Sequence, residues 1–165
     1  MTGSGFRALI LVTGALFTAM VLASPTSCGG VWRICSFDAQ FLPYGPDEAR
    51  AYLASLGSGI GRYLWIVQPL DLVFPAALCL ALREAYARFA PERLARRLGR
   101  LAVVYAGVDY FENALIRAML KRPDGAFPDL LPEATSALTT LKWLVLAVLF
   151  AAFLRLWLGR KRAAR

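Results

Sequence analysis

Leu101-Ala-Val-Val-Tyr105-Ala-Gly-Val-Asp109-Tyr-Phe-Glu112-Asn113-Ala-Leu-Ile116-Arg117-Ala-Met-Leu120 decides how this chain is read. The stretch has about the 20 mostly apolar residues that a helix needs to cross a hydrocarbon core. Yet Asp109 and Glu112 sit near its middle. Ionisable groups at membrane depth are costly and are kept for a partner or a task. The first question is therefore whether other apolar stretches carry matching groups.

Three do accompany it. Phe6 to Ser24 is mostly apolar and holds no ionisable side chain apart from Arg7. Gly61 to Leu82 is interrupted by Gln68, Pro69, Asp71 and Pro75, and Ala137 to Leu158 holds Lys142. Backbone polar groups in lipid must be satisfied within their own segment, so these stretches are expected to be helices. The absence of strict alternation excludes strands on the same grounds. The expected fold is all-α: an integral membrane bundle of four transmembrane helices over about 6–24, 61–82, 101–120 and 137–158. Residues 1–165 would form a single membrane domain ending in a basic tail, 159–165.

Composition agrees. Hydrophobic residues make up 58% of the 165, above the ~45–50% usual in soluble domains. Mean hydropathy is +0.52. The net charge of +8 could suggest nucleic acid, but the basic residues cluster at the ends of apolar stretches and are not interleaved with aromatics. Arg83 to Arg100 holds six arginines against Glu84 and Glu92, and the segment from Arg155 adds only bases. The segments 25–59 and 121–135 are balanced or acidic. Basic loops stay inside. Both termini are thus expected on the cytoplasmic side of the membrane. A rival reading takes Arg7, the following apolar run and Val21-Leu22-Ala23 as a secretory signal peptide. Its cleavage would leave three spans in the same orientation.

The first outer segment contains Pro43-Tyr44-Gly45-Pro46, a turn in which Pro46 suits the first position of a helix. Asp47 and Glu48 favour its positive end, and Gly57-Ser58-Gly59 ends it. Ala51, Tyr52, Leu53 and Leu56 would form the apolar face of a short amphipathic helix that lies on the membrane or lids the bundle. An ordinary capped connector fits the same residues. Cys28 and Cys35 fall in this segment and are disulfide candidates if the exterior is oxidising. Cys79, in the second span, reads as a small apolar residue. Pro123 to Pro132 reads as a tight surface connection.

Helical spacing then says which polar groups can meet. Tyr105, Asp109, Glu112 and Ile116 share one face, with Asn113 beside Asp109. Leu64, Gln68, Asp71 and Pro75 form a second stripe, and Thr135, Thr139 and Lys142 a third, with Thr140 at its margin. At 1.5 Å per residue, Lys142 lies about 9 Å, Glu112 about 12 Å and Asp71 about 14 Å from the outer ends of their spans. One layer can hold all three, with Lys142 as counter-ion to Glu112 or Asp71. Each proline also frees a carbonyl in the preceding turn, which adds acceptors to the niche. Arg62 and Tyr63, at the outer end of the second span, could anchor at the interface or hold an anionic head group.

Gly61-Arg62-Tyr63, Asp71-Leu-Val-Phe74-Pro75 and Asp109-Tyr-Phe-Glu112-Asn113, with Pro43-Tyr44-Gly45-Pro46 and Leu56-Gly57, resemble a recurring type of bacterial four-span membrane protein over residues 43–123. The resemblance implies a bacterial cytoplasmic (inner) membrane and no activity. A more distant, purely architectural similarity is to four-span sterol isomerases and their receptor-like relatives, which place acids in a lipid-facing cavity. Their catalytic His has no counterpart, because the chain contains no His.

Three function classes follow. In the first, the niche binds or transforms an amphiphilic small molecule such as a lipid or isoprenoid, with Asp109 and Glu112 as acid and base. Asp71, Asn113, Lys142, Gln68, Arg62 and Tyr63 would bind the ligand. In the second, the groups only hold helices together in a structural or assembly subunit, alone as a homo-oligomer or with a membrane partner. In the third, the acids line a proton or cation pathway. No phosphate-binding glycine loop or metal-ligand spacing occurs, so no cofactor, metal or nucleic acid is expected.

Overall fold

The computed structural model describes residues 2–25, 30–31 and 35–163. They form an all-α bundle of five helices, α1 Gly3–Ala23, α2 Pro46–Leu56, α3 Gly59–Phe89, α4 Glu92–Leu120 and α5 Leu130–Ala163. Three of them, α1, α3 and α5 up to Gly159, are long and apolar enough to cross a membrane. This is consistent with an integral membrane protein. The exception is α4, the helix expected to be the third span. It has the length, at 29 residues, but Asp109, Glu112 and Arg117 depress the hydropathy of its second half.

The helices overrun the apolar stretches. The arginine-rich segment between the second and third stretches is helical except at Ala90 and Pro91. Arginine and alanine are good helix formers, so hydropathy marks the part of a helix suited to lipid and not its ends. The fifth helix likewise begins at Leu130, not near Ala137. α5 runs antiparallel to α4, its carboxyl-terminal half beside the amino-terminal half of α4, and α3 and α4 form a tight hairpin about Ala90-Pro91.

α1 runs along α3 in the opposite direction. At one end Arg88 donates to the Thr2 carbonyl at 3.1 Å and lies over the Phe6 ring at 4.6 Å. At the other, Arg62 donates to the Leu22 carbonyl at 3.0 Å. Phe17 meets Phe74 between them, with ring centroids 5.9 Å apart.

The end of the bundle where α3 begins and α4 stops is covered by the segment 35–57. A 3-10 turn, Phe37–Ala39, precedes α2. Pro46 opens α2, and the Gly45 amide donates to Glu48 Oε2 at 2.8 Å, which closes the first turn. Gly57 at φ 48° ends it, a conformation suited to glycine. Ala49, Tyr52, Leu53 and Leu56 are buried, whereas Ala51 is exposed. The expectation for Ala51 is thus corrected, because the spacing 49, 52, 53, 56 gives a narrower stripe centred on Leu53. These side chains join Phe37, Tyr44, Tyr63, Ile116, Met119 and Phe127 in an outer apolar layer. Arg50 clamps the connection before α5, donating to the Gly125 and Phe127 carbonyls and to Asp129 Oδ1 at 2.5 Å.

Cys35 is disulfide-bonded, and Cys79 is a buried free thiol. Cys28, the expected partner of Cys35, lies outside the described residues. A second apolar layer, around Leu82, Tyr86, Leu98, Tyr105 and Leu149, fills the opposite half of the bundle. The polar groups lie between the two layers.

Candidate functional site

Asp71, Asp109, Glu112 and Lys142 are 3%, 2%, 0% and 4% exposed, so all four are inside the protein and none faces lipid. Lys142 of α5 is the hub. Its Nζ lies 2.7 Å from Glu112 Oε2 and 3.6 Å from Asp109 Oδ1. Two carboxylates three residues apart on α4 present one edge each to the same ammonium, as their shared helix face requires. The remaining oxygens are also engaged. Thr139 donates to Glu112 Oε1 at 2.7 Å, and Tyr105 donates to Asp109 Oδ2 at 2.6 Å. With apolar layers above and below, these contacts operate in a low-dielectric setting where each is stronger and each loss is costlier.

The α3 side of the site is built by its two prolines. Pro75 has no N–H, so the carbonyl of Asp71 loses its helical partner. Asn113 Nδ2 donates to that carbonyl at 3.4 Å and to Asp109 Oδ1 at 3.3 Å. Gln68 Nε2 in turn donates to Asn113 Oδ1 at 3.3 Å. Pro69 follows a π-helical turn, Tyr63–Val67, in which the Gln68 amide reaches back five residues to the Tyr63 carbonyl. In that register Pro69 orphans the Leu64 carbonyl, and Arg117 Nη1 of α4 lies 3.5 Å from it. A π-helical turn of this kind is a recurring mark of functional positions. Both freed carbonyls are therefore taken by side chains of α4, Asn113 and Arg117.

Of the site residues expected from the sequence, Asp109, Glu112, Asn113, Gln68 and Lys142 form one connected network. Asp71 adjoins it through its main chain, and Lys142 pairs with Glu112 and Asp109 instead of with Asp71 within salt-bridge distance. Asn113 links the Asp71 main chain to Asp109. Tyr63 is buried, and its hydroxyl serves the outer segment: it contacts Ser36 Oγ at 2.9 Å, donates to Asp38 Oδ1 at 3.0 Å and accepts from the Phe37 amide at 3.2 Å. Arg62 is exposed and turned to α1, away from the network. Thr140 back-bonds to the Ser136 carbonyl.

Sequence reasoning missed Asp38. It is half-buried in the 3-10 turn, bonded to Ser36 and Tyr63, and its carbonyl accepts from Trp143 Nε1 at 3.1 Å. Trp143, the residue next to Lys142, thereby ties the segment 35–57 to α5. The Tyr44 amide adds a second tie, donating to Ser136 Oγ at 2.9 Å. Asp38 falls in a stretch without helical periodicity, so spacing could not place it. The one available signal was an acid three residues after Cys35 and beside an aromatic. Burial pushes the Tyr44 and Tyr52 hydroxyls of this cap well above the usual tyrosine range.

Chemically, the network can hold and exchange protons along Tyr105, Asp109, Lys142, Glu112 and Thr139. Lys142 occupies the space between the acids, and among the described residues no three acidic, cysteine or histidine groups are arranged to hold a metal ion. Comparison with known proteins gives no match, whether to a family model, a curated protein or a solved structure. The four-span resemblance and the sterol-isomerase similarity gain no support from it.

Proposed function

We propose that residues 1–165 form one membrane domain with four spans, both termini in the cytoplasm of a bacterium, and that the network centred on Lys142 holds the polar end of a lipid- or isoprenoid-like molecule. In this reading α4 is the remaining span. Its acids face the bundle interior, so lipid meets only its apolar side. The segment 35–57 is the outer lid, and Arg62 sits at its rim.

One observation carries the reading: the bundle buries three acids, Asp71, Asp109 and Glu112, against a single buried ammonium, which pairs with the last two. Lys142 neutralises one of them. The surplus calls for protons or for donor groups of a ligand, since unpaired buried charge is prohibitively costly. Asp109 and Glu112 act as acid and base, while Asp71, Asn113, Gln68 and Lys142 orient the bound group. The test is native mass spectrometry of the detergent-purified protein. A defined amphiphile should remain on the wild type and be lost from Asp109→Asn and Glu112→Gln variants that still accumulate. A wild type that carries no such molecule refutes the reading.

A second reading is favoured by one fact, that the side chains of Gln68, Asn113, Tyr105, Thr139 and Lys142 all find partners within the bundle. The network would then fix helix register in a structural or assembly subunit. Accumulation of a Lys142→Met/Glu112→Leu protein with unaltered membrane partners supports that reading over the first.

A further inference from the structure

The opposite end of the α3–α4 hairpin carries a feature the buried network does not use. A groove of about 490 Å³ runs between the last turns of α3 and the first turns of α4. Small residues make it. Ala95 and Gly99 of α4 line it opposite Ala87 and Ala90, so only small side chains border the space beside the Arg83 stem. A side chain at Gly99 would enter the groove and meet the Arg83 stem, whose Cγ lies 3.6 Å from the Cβ position. Arg83, Arg96 and Arg100 line the walls, and the half-exposed Val103 continues the floor toward the apolar surface of the bundle.

Charge is concentrated here beyond what the fold requires. Arg93, Arg96, Arg97 and Arg100 occur at spacings of three and four on α4, where like charges repel. Only Arg96 has a carboxylate partner, Glu92, in the same helix. Among the described residues Arg83, Arg93, Arg97 and Arg100 form no ion pair. Guanidiniums that outnumber the one carboxylate of the groove, Glu92, suit a multi-oxygen anion, which arginine binds through paired donors.

We infer that this groove binds the phosphate head group of an anionic phospholipid, with an acyl chain leaving along Val103. The inference rests on the membrane reading above, because only a membrane-embedded chain presents an interface-level groove that continues into apolar surface. That continuity selects a lipid over free phosphate.

The experiment uses full-length protein in detergent, with phosphatidylglycerol and phosphatidylcholine of matched chains added in turn and retention read by native mass spectrometry. The wild type should retain phosphatidylglycerol preferentially. Arg83→Gln/Arg100→Gln should weaken it about thirty-fold, on ~1 kcal/mol per arginine. Gly99→Leu keeps every charge but fills the groove, and it should abolish the preference as well. Ala95→Leu provides the same test should Gly99→Leu fail to fold. Equal retention of the two lipids overturns the inference. So does undiminished preference in both the groove-filling and the charge variants, which would mean diffuse attraction to basic residues. Inorganic phosphate that displaces the lipid at equal concentration overturns the lipid assignment. Carbonate extraction of the protein from membranes would refute the membrane reading itself, and it is scored separately.

Discussion

Replacing Lys142 by methionine isolates the interaction on which the buried network turns. The wild-type ammonium is 2.7 Å from Glu112 and 3.6 Å from Asp109, with all three side chains almost wholly enclosed. Methionine keeps the length and removes the charge. It leaves two carboxylates without their cation, and breaking a buried pair in this way costs about 3–5 kcal/mol. Glu112→Leu is milder, at about 1–3 kcal/mol, because Lys142 keeps Asp109 and Thr139 keeps a second acceptor, the Thr135 carbonyl at 3.0 Å. If the two changes were independent, the double variant would lose roughly 4–8 kcal/mol, the sum of those ranges. They are not independent. Once Glu112 is gone, removal of Lys142 exposes only Asp109, which still has Tyr105 and Asn113. The double variant should therefore be no less stable than Lys142→Met alone, a coupling of about 2 kcal/mol. Unfolding by added sodium dodecyl sulfate in mixed micelles, followed by far-ultraviolet circular dichroism, measures all four proteins. A Lys142→Met protein within about 1 kcal/mol of wild type, or additive losses in the double variant, would refute the account of the ammonium as shared counter-ion.

Asn113→Leu should destabilise by about 1–3 kcal/mol, since it strands the Asp71 carbonyl, and the loss should shrink in a Pro75→Ala background, where a restored N–H takes that carbonyl; the same titration checks both. Tyr63→Phe removes the hydroxyl that joins Ser36, the Phe37 amide and Asp38. Amide exchange of residues 35–45 should then accelerate while the interior of α4 keeps its protection. The outer cap should also weaken in alkali. Tyr44 and Tyr52 are raised above the ordinary 10.0, so folding favours their neutral forms. Their contribution is complete below pH 10, the unfolded value, and is lost as pH rises beyond it because the unfolded chain releases the protons first. Unfolding midpoints at a pH below and a pH above 10 test this, and Tyr52→Phe should flatten the slope.

The network was legible wherever helix periodicity could be applied. Asp109, Glu112 and Asn113 on one face, Lys142 at similar depth and carbonyls freed by proline all follow from spacing and covalent geometry, and each has its place in the structure. What spacing could not give was the rotation of one helix against another. Asp71 had the expected depth for Lys142, but the ion pairs go to the two acids of α4, and Asp71 reaches the network through its carbonyl and Asn113. Nor could periodicity reach 35–45, where contacts are set by a disulfide-bonded loop folding back on three helices. Asp38 and the Trp143 tie were invisible for that reason. The helix ends were underestimated because charged residues continue a helix beyond its apolar part, and α4 fails a hydropathy criterion through the very residues that make it interesting.

The two carbonyls bared by Pro69 and Pro75 bear on how such a chain is made. During synthesis α3 emerges before the helix that supplies Asn113 and Arg117. Released alone into hydrocarbon, it would carry two naked acceptors, each worth several kcal/mol in lipid. On the membrane reading proposed above, α3 should leave the translocon only once Glu92–Leu120 has been translated and the hairpin can exit as a pair.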